Sequence, residues 1–294
     1  MNHHLIRQMG YVVIATPDPD GSARDLADMT GVRISHREAD AVYVSSNARF
    51  CDIAYLRENR TGIRAVGLEA MDEDAVDEIY RRAKSEGLAI LADTPLLPKV
   101  KRAVRFATPF GPIFEVHTPI ARDDISPAMT NGKRVRRLEH VNLRATDPKG
   151  FHDLATRLLG MKLSDRTTNY ERAWYRCADG FHHTFACGPG SGLHHYAFDA
   201  HGLYDLAGVA DALNAKGRSL LWGIGRHGPG NNLFSYYRDP NGCVVEVSFG
   251  LERIDNDALY EPGNWEFNSS SNVLDRWGSQ PPEAYGKAIT PFVS

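Results

Sequence analysis

The chain has 294 residues, 42% hydrophobic and 24% charged, a balance that suits a globular protein of about two domains and excludes a disordered chain. A formal net charge of -3, with both signs mixed along the sequence, leaves no basic stripe for nucleic acid and no polybasic segment for a membrane surface. The expected partner is therefore a small molecule.

The N-terminus, MNHHLIRQMGYVVIATPDPD, has neither a basic stretch followed by an apolar one nor a long apolar span, so the protein is expected in the cytoplasm. From Gly10 a strand is predicted, then an Asp-Pro turn, an amphipathic helix and a glycine stop, in GYVVIATPDPDGSARDLADMTGVRIS. Short alternating runs between Gly, Asn and Asp turns follow and predict several strands. A second strand and helix lie in VGLEAMDEDAVDEIYRRAKSEGLAIL, from Val66, and a closing strand in FATPFGPIFEVHT. The polar stretch TPIARDDISPAMTNGKRV reads as a linker. Beyond it the same succession returns: EHVNLRATDPKGFHDLATRLLGMKLS from Glu139, YAFDAHGLYDLAGVADALNAKGRSLL from Tyr196, and YYRDPNGCVVEVSF.

The chain is thus two halves of two modules each, and the fold class is α+β with βαβββ modules. Residues 1–122 are expected to form an N-terminal domain without a metal site, 123–250 a C-terminal catalytic domain with one, and 251–294 a tail. Trp265, Phe267, Trp277 and Tyr285 give that tail the look of a wrapping arm. Cys51, Cys177, Cys187 and Cys243 are scattered, with no CxxC pair, which suits a reducing interior.

Laid on one another, the halves set His140 opposite Tyr11, His195 opposite Ala65 and Glu246 opposite Glu115. Only the C-terminal half has two histidines and a carboxylate at the equivalent strand positions, and eight of the twelve histidines lie between His140 and His227. Two neutral imidazoles and one carboxylate on rigid strands form the site type of non-haem Fe(II), in which open positions receive substrate and oxygen. Blander readings stand beside this one. A histidine taken alone is more often a surface or hydrogen-bonded core residue, as His152 and His201 are taken to be. Glu246 interrupts the apolar run CVVEVSF, and a buried charge is costly unless it is paired or metal-bound; a structural ion pair is the rival. The glycine-rich GIGRHGPGNN holds no GxGxxG and no GxxxxGK run, which leaves phosphate binding weakly supported.

The segments LEHVNL, FHHTFAC, GLHHYAF and GRHG, followed by SYYRDPNGCVVEVSFG, resemble the type I extradiol ring-cleavage dioxygenases of the vicinal oxygen chelate superfamily. The resemblance spans roughly Gly10 to Gly250 and is specific in the second half. It implies strands curled into an incomplete barrel around the site, as in glyoxalase-like folds, with His140, His195 and Glu246 as metal ligands. His183, His227 and Tyr236 match further family positions as catalytic residues. Asn142, His227, Tyr236, Trp174 and Trp222 are expected to bind substrate. Strand alternation then turns His195 and His183 to the site and their neighbours His194 and His182 to the opposite face.

What the resemblance implies chemically is a cytoplasmic homo-oligomer that cleaves a catechol-type ring with O2 in aromatic-compound degradation. Because O2 is a triplet, both reactants are bound to one redox-active metal, Fe(II) or in some members Mn(II). Attack beside one hydroxyl, lactone formation and hydrolysis give a hydroxymuconic semialdehyde-type product. His183 would stabilise the oxygen-derived anion and supply a proton, while Tyr236 and His227 manage the substrate's hydroxyl proton. Two other readings remain open: a glyoxalase-like isomerase or thiol transferase, and a metal-free binding protein. Relatives acting on acidic catechols carry arginine before the GRHG loop, where SLLWGIGRHG shows Trp222, so a neutral or aromatic substituent is expected.

Overall fold

Asp18-Pro19 and Asp147-Pro148 are not merely turns but helix starts. Each aspartate caps its helix, accepting from the backbone N–H three residues on (Gly21, 2.9 Å; Gly150, 3.0 Å), and each proline supplies a first-turn residue that needs no N–H donor. These are the same device used twice, and they fix the entry of the first helix in modules one and three. The computed structural model describes residues 4–125, 134–267 and 272–293; of the predicted linker, 126–133 lie outside the described residues.

Module one is β1 (Ile6–Thr16), α1 (Pro19–Thr30), β2 (Arg33–Arg37), β3 (Ala41–Ser45) and β4 (Ile53–Arg57). Module two is β5 (Gly62–Ala70), α2 (Glu73–Ser85), β6 (Ala89–Ala92), β7 (Ala103–Ala107) and β8 (Ile113–His117). Module three is β9 (Val135–Ala145), α3 (Pro148–Arg157), β10 (Lys162–Thr167), β11 (Ala173–Arg176) and β12 (Phe185–Pro189). Module four is β13 (Gly192–Ala200), α4 (Leu203–Asn214), β14 (Trp222–Arg226), β15 (Leu233–Arg238) and β16 (Val244–Phe249). The fold is α+β, four βαβββ units. Two short elements follow, β17 (Gly263–Trp265) and α5 (Glu283–Gly286).

Modules one and two share an eight-stranded sheet, ordered β2-β3-β4-β1-β5-β8-β7-β6, and modules three and four a nine-stranded one, ordered β14-β15-β16-β13-β9-β12-β11-β10-β17. Each sheet joins its two modules through their first strands, which pair antiparallel. The helices and both sheets enclose one continuous apolar core running from Ile6 to Val247, with Phe114, Phe151 and Phe185 meeting where the halves touch. The face of the second sheet away from its helices carries a separate apolar cluster of Trp222, Phe234, Tyr236, Val244, Tyr285 and Ala288, with polar residues beside it.

The segment after Gly250 crosses both halves. β17 extends the second sheet beside β10, Thr290 bridges Leu193 and Phe292 bridges Ile63. Trp265 and Tyr285 face inward, whereas Trp277 is exposed. The four cysteines are buried and free. Among the described residues no helix is long and apolar enough to cross a membrane.

Candidate metal centre

Three adjacent strands of the second sheet carry His140 (β9), His195 (β13) and Glu246 (β16). In register, Ala197 on the middle strand pairs with His140 on one side and Glu246 on the other. Strand neighbours lie about 4.8 Å apart, so two long side chains flanking a small one can converge above it, and His195, two residues before Ala197, completes the triangle. Both His140 Nε2 and His195 Nε2 lie 3.1 Å from Glu246 Oε2. The three donor atoms fall within 4.8 Å of one another, the one such cluster among the described residues.

Each donor is oriented from behind. Glu139 Oε2 lies 3.0 Å from His140 Nδ1, which fixes that ring with Nε2 forward, the usual support of a metal-binding histidine. Asn232 donates to Glu246 Oε1 (3.3 Å) and to Ser248 Oγ (2.9 Å). Glu246 is fully buried, yet no lysine or arginine among the described residues pairs with it. Burial opposes its ionisation, but His140 and His195 outweigh that and hold it well below the usual carboxylate range. Burial likewise works against charge on His140, and Glu246 with Glu139 overcomes it, raising that imidazole to about 9. His195 goes the other way: burial lowers it to about 4 in spite of Glu246. The donor set of two imidazoles and one carboxylate suits a divalent cation with open positions.

The N-terminal half shows what the same scaffold does without such a set. Glu115 on β8 is also fully buried, but Arg105 reaches it at 2.9 Å, the Leu96 backbone N–H at 3.0 Å and the Tyr11 hydroxyl closes on it directly. Arg105 pairs across with Glu115 as Tyr236 does with Glu246. Tyr11 fills the space opposite, its ring against Gly67, where a Cβ would lie 2.6 Å from it. One half neutralises its carboxylate with arginine; the other leaves it to two histidines.

Around the C-terminal set stand His183, His227, Tyr236, Asn142 and Trp174, which with Tyr285 line a chamber of about 40 Å³. Residues 137–247 match the model of the Glyoxalase/Bleomycin resistance protein/Dioxygenase superfamily. That stretch runs from β9 to β16 and takes in all three donors. The chain is 23% identical over 94% of its length, and 95% of the relative's, to the manganese-dependent 2,3-dihydroxybiphenyl 1,2-dioxygenase of Geobacillus genomosp. 3. The Mn(II)-bound glyoxalase of Novosphingobium aromaticivorans superposes with a TM-score of 0.84 at 25% identity, over 95% of this chain and 94% of that one. A variant of homoprotocatechuate 2,3-dioxygenase from B. fuscum superposes with a TM-score of 0.91 at 17% identity, over 99% of this chain and 84% of that one; this likeness is one of fold.

Several side chains differ from their expected placement. His194 does not turn to the far side: its Nδ1 lies 2.7 Å from His195 Nδ1 and its Nε2 2.8 Å from the Tyr285 carbonyl. The register of β13 on β9 shifts between Leu193 and His195, and a bulge of this kind breaks the alternation on which the expectation rested. His182 is fully buried beside its neighbour, Nδ1 3.0 Å from His183 Nδ1 and Nε2 3.1 Å from Asp165 Oδ2; both histidines precede β12, so strand alternation does not govern them. Trp222 stands behind Tyr236, stacked at 5.8 Å and donating to Ser279, and lines neither the chamber nor its approach.

His227 and Tyr236 have their protons fixed by neighbours. His227 Nδ1 lies 2.5 Å from the Leu274 carbonyl, which can only accept, so Nδ1 carries the hydrogen and Nε2 accepts from the Tyr236 hydroxyl at 2.8 Å. Burial keeps His227 neutral and Tyr236 protonated. Asn142 Oδ1 is buried without a partner among the described residues while its side chain lines the chamber. Sequence reasoning missed Glu139, Asp165, Asn232, Leu274 and Tyr285. Only Glu139, an acid preceding a strand histidine, carried a readable signal; the tail residues have no counterpart in the repeat.

Proposed function

We propose that the protein is an extradiol dioxygenase that binds Fe(II) or Mn(II) through His140, His195 and Glu246 and cleaves the ring of a catechol-type substrate with O2. The observation that carries this reading is the buried, arginine-free Glu246 shared by two imidazoles, set beside His183, His227 and Tyr236. When bound, the metal would bring catechol and O2 together and pass electron density between them. The chain's own residues would control protons. With its hydrogen directed to His227, Tyr236 keeps oxygen lone pairs free to accept from a substrate hydroxyl. Burial holds His183 well below the usual histidine range, so it is neutral and can take and return a proton. Trp174 and Tyr285 wall the chamber and keep water from a reactive ring-opened product.

Two adjacent hydroxyls are needed to chelate one metal. Catechols are therefore expected to consume O2 and give a yellow ring-fission product, while hydroquinone, with its hydroxyls on opposite carbons, is inert. An oxygen electrode and absorbance spectra measure both, and equal turnover of the two isomers would exclude bidentate binding.

Metal uptake should also release a proton. His140, raised to about 9, holds one at neutral pH and must lose it to become a ligand, whereas His195, at about 4, is already neutral. Affinity is thus expected to rise about tenfold per pH unit from pH 6 towards 9, with about one proton released per ion at pH 7. Calorimetry of Mn(II) binding in buffers of different ionisation enthalpy reads this count; zero protons would mean that His140 is neutral in the metal-free protein.

A metal-dependent isomerase is the second reading, supported by the 25% identity to the Mn(II)-bound glyoxalase. The site offers three protein donors where such an enzyme would be expected to use more. Assay of the metal-loaded protein on a hemithioacetal, beside catechol under oxygen, separates the two.

A further inference from the structure

The 40 Å³ chamber holds little more than one water, so an aromatic ring bound at the metal must extend out of it. The way out is a cavity of about 290 Å³ that shares Asn142, Trp174, Ala186, Leu274 and Tyr285 with the chamber. Two arginines line this outer cavity, Arg144 and Arg172, and among the described residues no carboxylate does.

Arg144 is the more telling of the two. It lies on β9 two residues beyond Asn142 and four beyond His140, hence on the same face of the strand and about 13 Å along it from the ligand. It is only 8% exposed, yet its guanidinium has neither a hydrogen-bond acceptor nor an acidic partner among the described residues. Its place has been cleared: across the strand pair sits Gly188, where a Cβ would lie 2.4 Å from Arg144 Nη1. Arg172 passes the same glycine, pairs at the surface with Glu171 at 3.2 Å and lies over the Phe267 ring at 5.0 Å. Burial works against charge on Arg144 and outweighs the favourable Tyr285 and Cys187, and the neighbouring Arg172 adds to the opposition. A buried guanidinium without an anion is costly, and a second cation on the same cavity adds to the cost. What would offset both is an anion from outside the chain.

We infer that the outer cavity is a subsite for the carboxylate of the substrate, bound by Arg144 with Arg172 beside it, so that the preferred catechol carries a short carboxylate-bearing arm. This deepens the ring-cleavage reading and rests on it for the catechol end. It reverses the neutral substituent expected from Trp222: the positive charge is supplied by β9 and by the turn before β11, on a different wall from the segment before the GRHG loop.

The test is binding without turnover. Mn(II)-loaded protein is titrated anaerobically with dihydrocaffeate, a catechol with a propanoate arm, and with its primary amide, which has the same shape and no charge. The wild-type chain is expected to bind the acid about 10–100-fold more tightly than the amide, the range for a lost charge-assisted hydrogen bond. Arg144→Met, which keeps an apolar stem, should bring that ratio close to one, and Arg144→Lys should restore part of it. Equal affinity of the wild type for acid and amide overturns the inference whether or not any variant folds, and so does an undiminished ratio in a folded, metal-loaded Arg144→Met. Turnover of dihydrocaffeate under oxygen is measured separately. Its absence in a protein that still discriminates acid from amide would sink the ring-cleavage reading and leave the carboxylate subsite standing.

Discussion

Replacing Glu246 by alanine is expected to abolish both metal retention and turnover, and replacing Glu115 by alanine to leave metal content unchanged. The two carboxylates occupy equivalent strands, β16 and β8, and both are fully buried, so burial alone does not separate them. Their neighbours do. Glu115 is engaged by Arg105, Tyr11 and the Leu96 N–H, and its removal leaves a guanidinium and a phenol facing a void. The cost should appear as lost stability of about 3–5 kcal/mol, read as a fall in the melting temperature. Glu246 meets two imidazoles and an amide, none of which supplies a permanent positive charge. Its removal should cost the ion instead, since two remaining histidines hold a divalent cation weakly; His140→Ala and His195→Ala should behave alike. Metal analysis after gel filtration, with thermal melts of the same samples, checks both arms. A Glu115 variant that lost metal beside a Glu246 variant that kept it would assign the site to the wrong half.

That comparison was legible in the sequence because the repeat supplies its own control. His140 and His195 stand out once Tyr11 and Ala65 are seen at the equivalent positions, and the Asp-Pro pairs that align the halves turn out to be helix caps. What the sequence could not show is local backbone irregularity and contact from outside the repeat. Alternation puts His140, Asn142 and Arg144 on one face of β9, which is regular from His140 onward although it bulges before it. It fails at His194, where β13 bulges, and at His182, which lies before β12 begins. Trp222 sits on a strand, but its side chain is taken up by packing behind Tyr236. Tyr285 and Leu274 come from the tail, which has no counterpart to compare, so no pattern marked them as chamber residues. Arg144 raised no question in the sequence either, because only the glycine opposite it, Gly188, makes its burial without a partner possible.

The pair His182 and His183 gives the last prediction. His183→Phe is expected to fold, keep its metal and bind catechol, because His183 is not among the three donors, and to lose turnover by on the order of 10²–10⁴-fold, as befits a positioned acid–base group. With His182 on the opposite face, its replacement would matter little; the observed contacts demand a different outcome. Asp165 lies 3.1 Å from His182 Nε2 and is held below the usual carboxylate range, contacts with His182 outweighing its burial. A carboxylate at that distance favours a hydrogen on His182 Nε2 by charge, without an aligned hydrogen bond, and His182 Nδ1 can then accept from His183 Nδ1 at 3.0 Å. His183 then presents a bare Nε2 to the chamber, the form that can take a proton. His182→Phe removes the group that selects this tautomer, so it should also lower kcat, with metal content kept. His182→Gln, whose amide oxygen can accept from His183, should recover part of the loss. The measurement is metal content and steady-state cleavage for His183→Phe, His182→Phe and His182→Gln side by side. Full turnover in His182→Phe would show that Asp165 and His182 support only the packing of the segment before β12. Full turnover in His183→Phe would remove the acid–base role from the segment before β12 altogether.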